Sequence, residues 1–173
     1  MRKSTDTRGM ATGAIEQAIT SHPLVAEASV VGIPDALKGQ LPFAFVTLSE
    51  EVVDAAASAS ASASAPAVPD PHQLAEEIGR RVREQIGGIA ALGGVIQGGR
   101  GLIPKTRSGK TLRRVLRELV ENAVHGDFDR PVPFPATIED PAAVDVARRK
   151  VAEYFATAKG ASAHRPIEAR AKL

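Results

Sequence analysis

The sequence contains no cysteine. That excludes a disulfide framework and thiolate metal sites, and it fits a reducing compartment. Aromatic residues make up only 3% of the chain, so any core must be assembled mainly from valine, leucine, isoleucine and alanine. Such a core gains less per residue than an aromatic one, and the fold is expected to lean on a partner domain. No run approaches the roughly 20 apolar residues needed to span a bilayer. The polar start, Met1 to Met10, lacks the apolar middle of a secretory signal. A formal net charge of +2 is too small to mark nucleic acid as a partner through bulk electrostatics. The expected setting is the cytoplasm, with neither membrane nor nucleic acid as a partner.

What is present is ordinary for a soluble domain: 43% apolar and 24% charged residues in a chain of 173, enough for one domain with or without an ordered tail. A first helix is expected from Thr12, a suitable N-cap, to about Ser21, with Ile15, Ala18 and Ile19 on one face and Pro23 forbidding continuation. Ala26 to Ile33 reads as a strand closed by Pro34-Asp35, and Leu41 to Leu48 as a second strand with Pro42 at its beginning. Ala55 to Ala65 alternates alanine and serine, offers nothing large to bury, and is expected to be a flexible insertion over 54–69.

Asp70-Pro71-His72-Gln73 opens a helix with a cap, a first-turn proline and a capping-box pattern, and Leu74, Ile78, Val82 and Ile86 form its buried stripe. Val95-Ile96 is a short third strand. Leu112, Val115, Leu116, Leu119 and Val120 mark a further helix with Arg113, Arg114 and Arg117 on its other face. An extended, proline-containing segment then leads to a helix opened by Asp140-Pro141 and carrying Val144, Ala147, Val151 and Phe155. The expected fold class is α+β, a small sheet of about three strands covered by helices, with a C-terminal helical tail. Its expected divisions are 1–11, a domain over 12–124, and an extension over 125–173.

The segment richest in chemistry is Leu102-Ile103-Pro104-Lys105-Thr106-Arg107-Ser108-Gly109-Lys110-Thr111-Leu112-Arg113-Arg114. Gly109-Lys110-Thr111 invites a phosphate-loop reading, but that motif needs a glycine where Pro104 stands. A nucleic-acid patch would need aromatic residues for base stacking among Lys105, Arg107, Lys110, Arg113, Arg114 and Arg117, and there are none. Read from the residues alone, the cluster is either a solvated loop and helix face or an anion-binding patch.

Pro104 to Lys110, with Arg113-Arg114 following, resembles the C-terminal lysine motif of AMP-forming acyl-CoA synthetases, members of the adenylate-forming superfamily with luciferases and nonribosomal peptide adenylation domains. Gly13-Ala14-Ile15-Glu16, Ser21-His22-Pro23, Val30-Val31-Gly32-Ile33 and Leu37-Lys38-Gly39-Gln40 resemble the same family in the same order. The resemblance covers about Thr12 to Ala123. Leu37 to Pro42, Val82 to Gly87 and Pro135 to Pro141 look most like propionyl-CoA synthetases, with acetyl-CoA synthetases as near neighbours. It implies an acid–CoA ligase that uses ATP, CoA and Mg, releases AMP and pyrophosphate, and acts on a short-chain carboxylate, propionate or acetate. It implies that Lys110 is catalytic in adenylation, bridging carboxylate and phosphate, and a target of acetylation that would remove its charge. By the same resemblance, Arg83 contacts a CoA phosphate, Gly109 lets the loop approach the nucleotide, and Arg107 steadies the loop or phosphates. Thr20, His22 and Val25 stand where relatives hold a structural cation.

Some features depart from that family. Its large N-terminal adenylation domain, the implied partner of this lid, is absent from the sequence. Asp6-Thr7-Arg8-Gly9-Met10-Ala11 stands where a Gly-His-Arg-like hinge would be, and Gly88 replaces a proline. The chain is therefore expected to be a fragment, an alternative product or an incomplete gene model, inactive by itself. The alternative is a non-catalytic or regulatory module that docks on a synthetase large domain. The terminal Ala171-Lys172-Leu173 resembles a peroxisomal Ser-Lys-Leu ending, which gives a second possible location.

Overall fold

Alternating side chains on two strands, each with apolar residues on both faces, demand cover from both sides. A computed structural model describes residues 12–35, 39–52 and 70–160, without the side chains of Ile89 and 158–160, and it supplies that cover. The hinge-like segment 1–11, Leu37-Lys38, the alanine/serine insertion over 54–69 and the terminal tripeptide fall wholly or mainly outside the described residues.

Strand β1 (Val25–Asp35) pairs antiparallel with β2 (Gly39–Leu48), and β2 pairs in parallel with β3 (Gly94–Gly98), in the order β1-β2-β3. Helices α1 (Thr12–Thr20) and α2 (Pro71–Ile86) cover one face, where Val30, Ala44, Val46 and Val95 meet Ile15, Ile19, Leu74, Ile78 and Val82. Helices α3 (Arg113–Val124) and α4 (Ala142–Gly160) cover the other, where Val31, Phe43, Phe45 and Ile96 meet Leu116, Val120, Val144 and Val151. Consecutive residues such as Val30 and Val31 therefore serve different cores. This three-layer α+β arrangement agrees with the fold class read from the sequence.

Three local details differ from the sequence reading. Thr12 lies inside α1 rather than capping it. β1 runs through Pro34 to Asp35, with Pro34 opposite Gln40, instead of turning there. Pro42 stands inside β2 opposite Gly32. Its carbonyl accepts from Gly93 N–H at 2.7 Å, on the β3 side. A strand residue's N and C=O point the same way, so the missing donor also faces β3, whose pairing begins only at Phe43. A proline there interrupts no ladder.

Asp70 caps α2 as expected, accepting the His72 N–H at 3.1 Å. Asp140 does the same before α4 through the Ala142 N–H at 2.9 Å. The extension is integral to the core: Val132, Ile138, Val144, Ala147 and Val151 are buried in the cluster that contains Phe45 and Leu116. Each fully buried valine or isoleucine stabilises by about 1.5–3 kcal/mol. The scarce aromatics are concentrated at this junction, with Phe43 edge-on to Tyr154 at 6.2 Å and stacked on Phe155 at 6.1 Å. Gly94 makes the contact possible, since a Cβ there would stand 2.4 Å from Tyr154 Oη and 2.7 Å from Phe43 Cε1.

Candidate functional site

The lysine-bearing segment leaves β3 and enters α3 as a tight loop. Leu102, Ile103 and Pro104 are buried and anchor its start. Lys105 and Thr111 then pair as an antiparallel bridge that closes the loop's neck, and Leu112 N–H donates to the Pro104 carbonyl at 2.9 Å. Inside, Thr106 N–H donates to Lys110 O at 2.9 Å, Gly109 N–H to Thr106 O at 2.8 Å, and Lys110 N–H to Thr106 Oγ1 at 3.1 Å. Gly109 turns the chain with φ +80°, a conformation that favours glycine because a Cβ would crowd the backbone.

The extension braces the loop from outside. Thr106 bridges Ile138, Arg107 N–H donates to Thr137 O at 2.9 Å, and Glu139 N–H donates to Lys105 O at 2.8 Å. The buried Ile138 side chain fastens this brace to the core.

The basic cluster separates into two kinds of residue. Lys105 pairs with Glu27 of β1 at 2.8 Å. Arg113 grips Glu16 of α1 through both carboxylate oxygens at 2.9 and 3.0 Å, and Glu16 also accepts the Val30 N–H at 2.8 Å. These two cations tie the loop and α3 to the sheet edge. Arg107, Lys110, Arg114 and Arg117 are exposed, and their side chains form no ion pair with the described residues. The geometry thus presents Lys110 as a free ammonium on a backbone held at both ends. It can meet an anion brought by a second surface.

Arg83 is not brought to this loop. It lies exposed on the last turn of α2 and lines a groove of about 780 Å³ with Gln97 of β3 and Lys150, Glu153 and Tyr154 of α4. No residue of the lysine loop lines that groove. Burial raises the pKa of the Tyr154 phenol above its ordinary value, keeping a neutral hydroxyl against the Gly93 carbonyl at 3.4 Å.

Thr20, His22 and Val25 do come together at the turn between α1 and β1. His22 is buried; its Nδ1 accepts the Leu24 N–H at 3.3 Å, which leaves Nε2 to donate to Glu77 Oε2 at 3.1 Å. The carbonyl of His22 accepts the Val25 N–H at 3.1 Å, and Thr20 Oγ1 lies 3.0 Å from the Glu16 carbonyl. With both ring nitrogens so engaged, the His22 imidazole has no lone pair to give a cation in this arrangement.

Sequence reasoning passed over Thr106 and Ser108, whose hydroxyls stand 2.9 Å apart inside the loop, and the acidic anchors Glu16 and Glu27. A readable signal existed for the first pair: threonine and serine flanking a glycine turn commonly bond to backbone a few residues away.

Comparison with known proteins places these residues in context. The family described as AMP-binding enzyme C-terminal domain matches residues 14–110, more than half of the chain. An acetyl-coenzyme A synthetase of Novosphingobium aromaticivorans is 43% identical over 136 residues, which are 79% of this chain and 17% of that protein. One from Pyrobaculum aerophilum is 37% identical over 144 residues, 83% of this chain and 18% of that protein. The crystal structure of a Brucella canis acyl-CoA synthetase superposes with a TM-score of 0.48 and 31% identity, over 62% of this chain and 16% of that one. The chain spans less than a fifth of the length of the curated relatives it matches here.

Proposed function

Because this chain belongs to the AMP-binding enzyme C-terminal domain family, we propose that it is the lid of an AMP-forming short-chain acyl-CoA synthetase, with Lys110 as its adenylation residue. In that chemistry a carboxylate oxygen attacks the α-phosphorus of ATP and pyrophosphate departs. The thiol of CoA then attacks the acyl carbon of the adenylate, and AMP leaves. The first step brings two anions together, so a cation at the point of convergence lowers its barrier. An ammonium on a long stem suits that task as a compact charge with three donors.

The observation that carries the reading is the presentation of Lys110: exposed and unpaired among the described residues, on a loop whose backbone is bonded on both sides. Arg107, beside it, is proposed to meet nucleotide phosphates, and Gly109 to admit the nucleotide close to the backbone. Arg83 is proposed to hold a phosphate of CoA from its separate groove. The substrates proposed are ATP, CoA and acetate or propionate; the relatives' names favour acetate. Magnesium would arrive with the ATP phosphates. The proposed partner is a large N-terminal adenylation domain that carries the acyl pocket, and the proposed location is the cytoplasm. No helix among the described residues is long and apolar enough to cross a membrane.

The test mixes the chain with the large domain of an acetyl-CoA synthetase and follows acetate- and propionate-dependent pyrophosphate release. Restored activity that falls by about 10²–10³-fold in Lys110→Ala is the expected result. Binding to the large domain without turnover favours a docking module instead. Full activity in Lys110→Ala refutes the assignment.

A further inference from the structure

We infer that Thr106 is the positioning residue for Lys110, a role that rests on the reading of Lys110 as the adenylation cation. The Lys110 side chain has no bonding partner among the described residues, so nothing at its tip fixes where the ammonium swings from. Its location is set by its backbone, and one residue holds both polar groups of that backbone. Thr106 N–H donates to the Lys110 carbonyl at 2.9 Å, and Thr106 Oγ1 accepts the Lys110 N–H at 3.1 Å.

The hydroxyl has a second bond, to Ser108 Oγ at 2.9 Å, across Arg107 and just before the Gly109 turn. Either hydroxyl can donate in that bond, since the Thr106 oxygen has a second lone pair beyond the one that accepts from Lys110. Thr106 is itself immobilised by its bridge to Ile138, whose side chain is buried in the core. A path of fixed contacts therefore runs from the core through Ile138 and Thr106 to the Lys110 backbone. Water can replace the hydroxyl's bond energy at this exposed loop, but not its placement. Displacement of a reacting group by about 1 Å can cost on the order of 10²-fold in rate.

Two variants separate positioning from simple stability. Thr106→Val keeps the branched shape at the bridge and removes the hydroxyl, whereas Thr106→Ser keeps the hydroxyl. In the mixture with the large domain, Thr106→Val should slow adenylation about 10–100-fold. It should leave unchanged the thioester half-reaction started from preformed acyl-adenylate and CoA. Thr106→Ser should restore adenylation. In the chain alone, amide exchange at Lys110 should speed up in Thr106→Val and return to the original rate in Thr106→Ser. Unimpaired adenylation in Thr106→Val, equal loss in both half-reactions, or unchanged Lys110 exchange would each overturn the role. Lys110→Ala run alongside separates the two ideas. If it stays active, the lysine reading falls and takes this role with it; if it is dead while Thr106→Val is unimpaired, only the positioning role falls.

Discussion

Removing the Glu16 carboxylate should loosen α3 from the rest of the domain, and the structure allows the cost to be worked out. Glu16 is only 16% exposed and makes two kinds of contact: the Val30 N–H of β1, and both oxygens to Arg113 at the start of α3. Arg113 is 50% exposed, so solvent screening limits the ion pair to about 0.5–1 kcal/mol despite its two-pronged geometry. The Val30 bond is different, because β1 is an edge strand and truncation leaves a part-buried N–H unsatisfied at about 1–3 kcal/mol. Glu16→Gln keeps an oxygen for Val30 and should cost about 1 kcal/mol. Glu16→Ala loses both contacts and should cost about 2–3 kcal/mol. Urea unfolding of the chain measures both, and a double-mutant cycle with Arg113→Ala isolates the pair. Equal costs for the two Glu16 variants would refute the division, since it assigns the larger share to the Val30 bond. A coupling energy near zero would show that Arg113 is held by something other than Glu16.

Two other outcomes follow from the same geometry. Gly109→Ala forces a Cβ onto a residue at φ +80° and should cost about 1–2 kcal/mol, whereas Gly109→Asn should cost less, because asparagine tolerates that region; urea midpoints rank them, and equal midpoints would contradict the strained turn. Tyr154 is the single tyrosine in a chain without tryptophan, so ultraviolet absorbance of tyrosinate titrates it alone. Burial raises its folded pKa, so its contribution to stability is complete below the ordinary tyrosine range and is lost as pH rises through the raised value. The native titration should lie above that of the urea-unfolded chain, and alkaline destabilisation should be smaller in Tyr154→Phe. Coincident native and unfolded titrations would refute the burial argument.

Much of the architecture was legible because local patterns agreed with one another. The four-residue recurrence of Leu74, Ile78 and Val82 after the Asp70-Pro71 start led to α2, whose bounds and cap the structure repeats. Val95-Ile96 was readable as a strand although only five residues long. The β1 end was misread because proline and aspartate ordinarily break strands, and pairing with Gln40 and Gly39 carries them along. The parallel pairing of β3 with β2 left no local mark, since strand partners are chosen by burial rather than by neighbours in sequence.

For the site, residue types and spacing alone marked a basic loop around Pro104–Lys110, and only the family resemblance singled out Lys110 within it. A glycine before the lysine and a helix after it are local properties, written in consecutive residues. The sequence could not say which cations were already occupied. Lys105 and Arg113 looked like Arg107 and Lys110 until folding brought Glu27 and Glu16 to them across 78 and 97 positions respectively. Nor could it say that Thr137 to Glu139 brace the loop or that α4 packs its aromatic residues on Phe43. Those are long-range pairings, whose energy exists only after the chain has met the entropy cost of bringing distant segments together. Composition and periodicity outlined the elements and the basic loop; tertiary structure alone decided that Lys105 and Arg113 are neutralised while Arg107, Lys110, Arg114 and Arg117 have no ion-pair partner among the described residues.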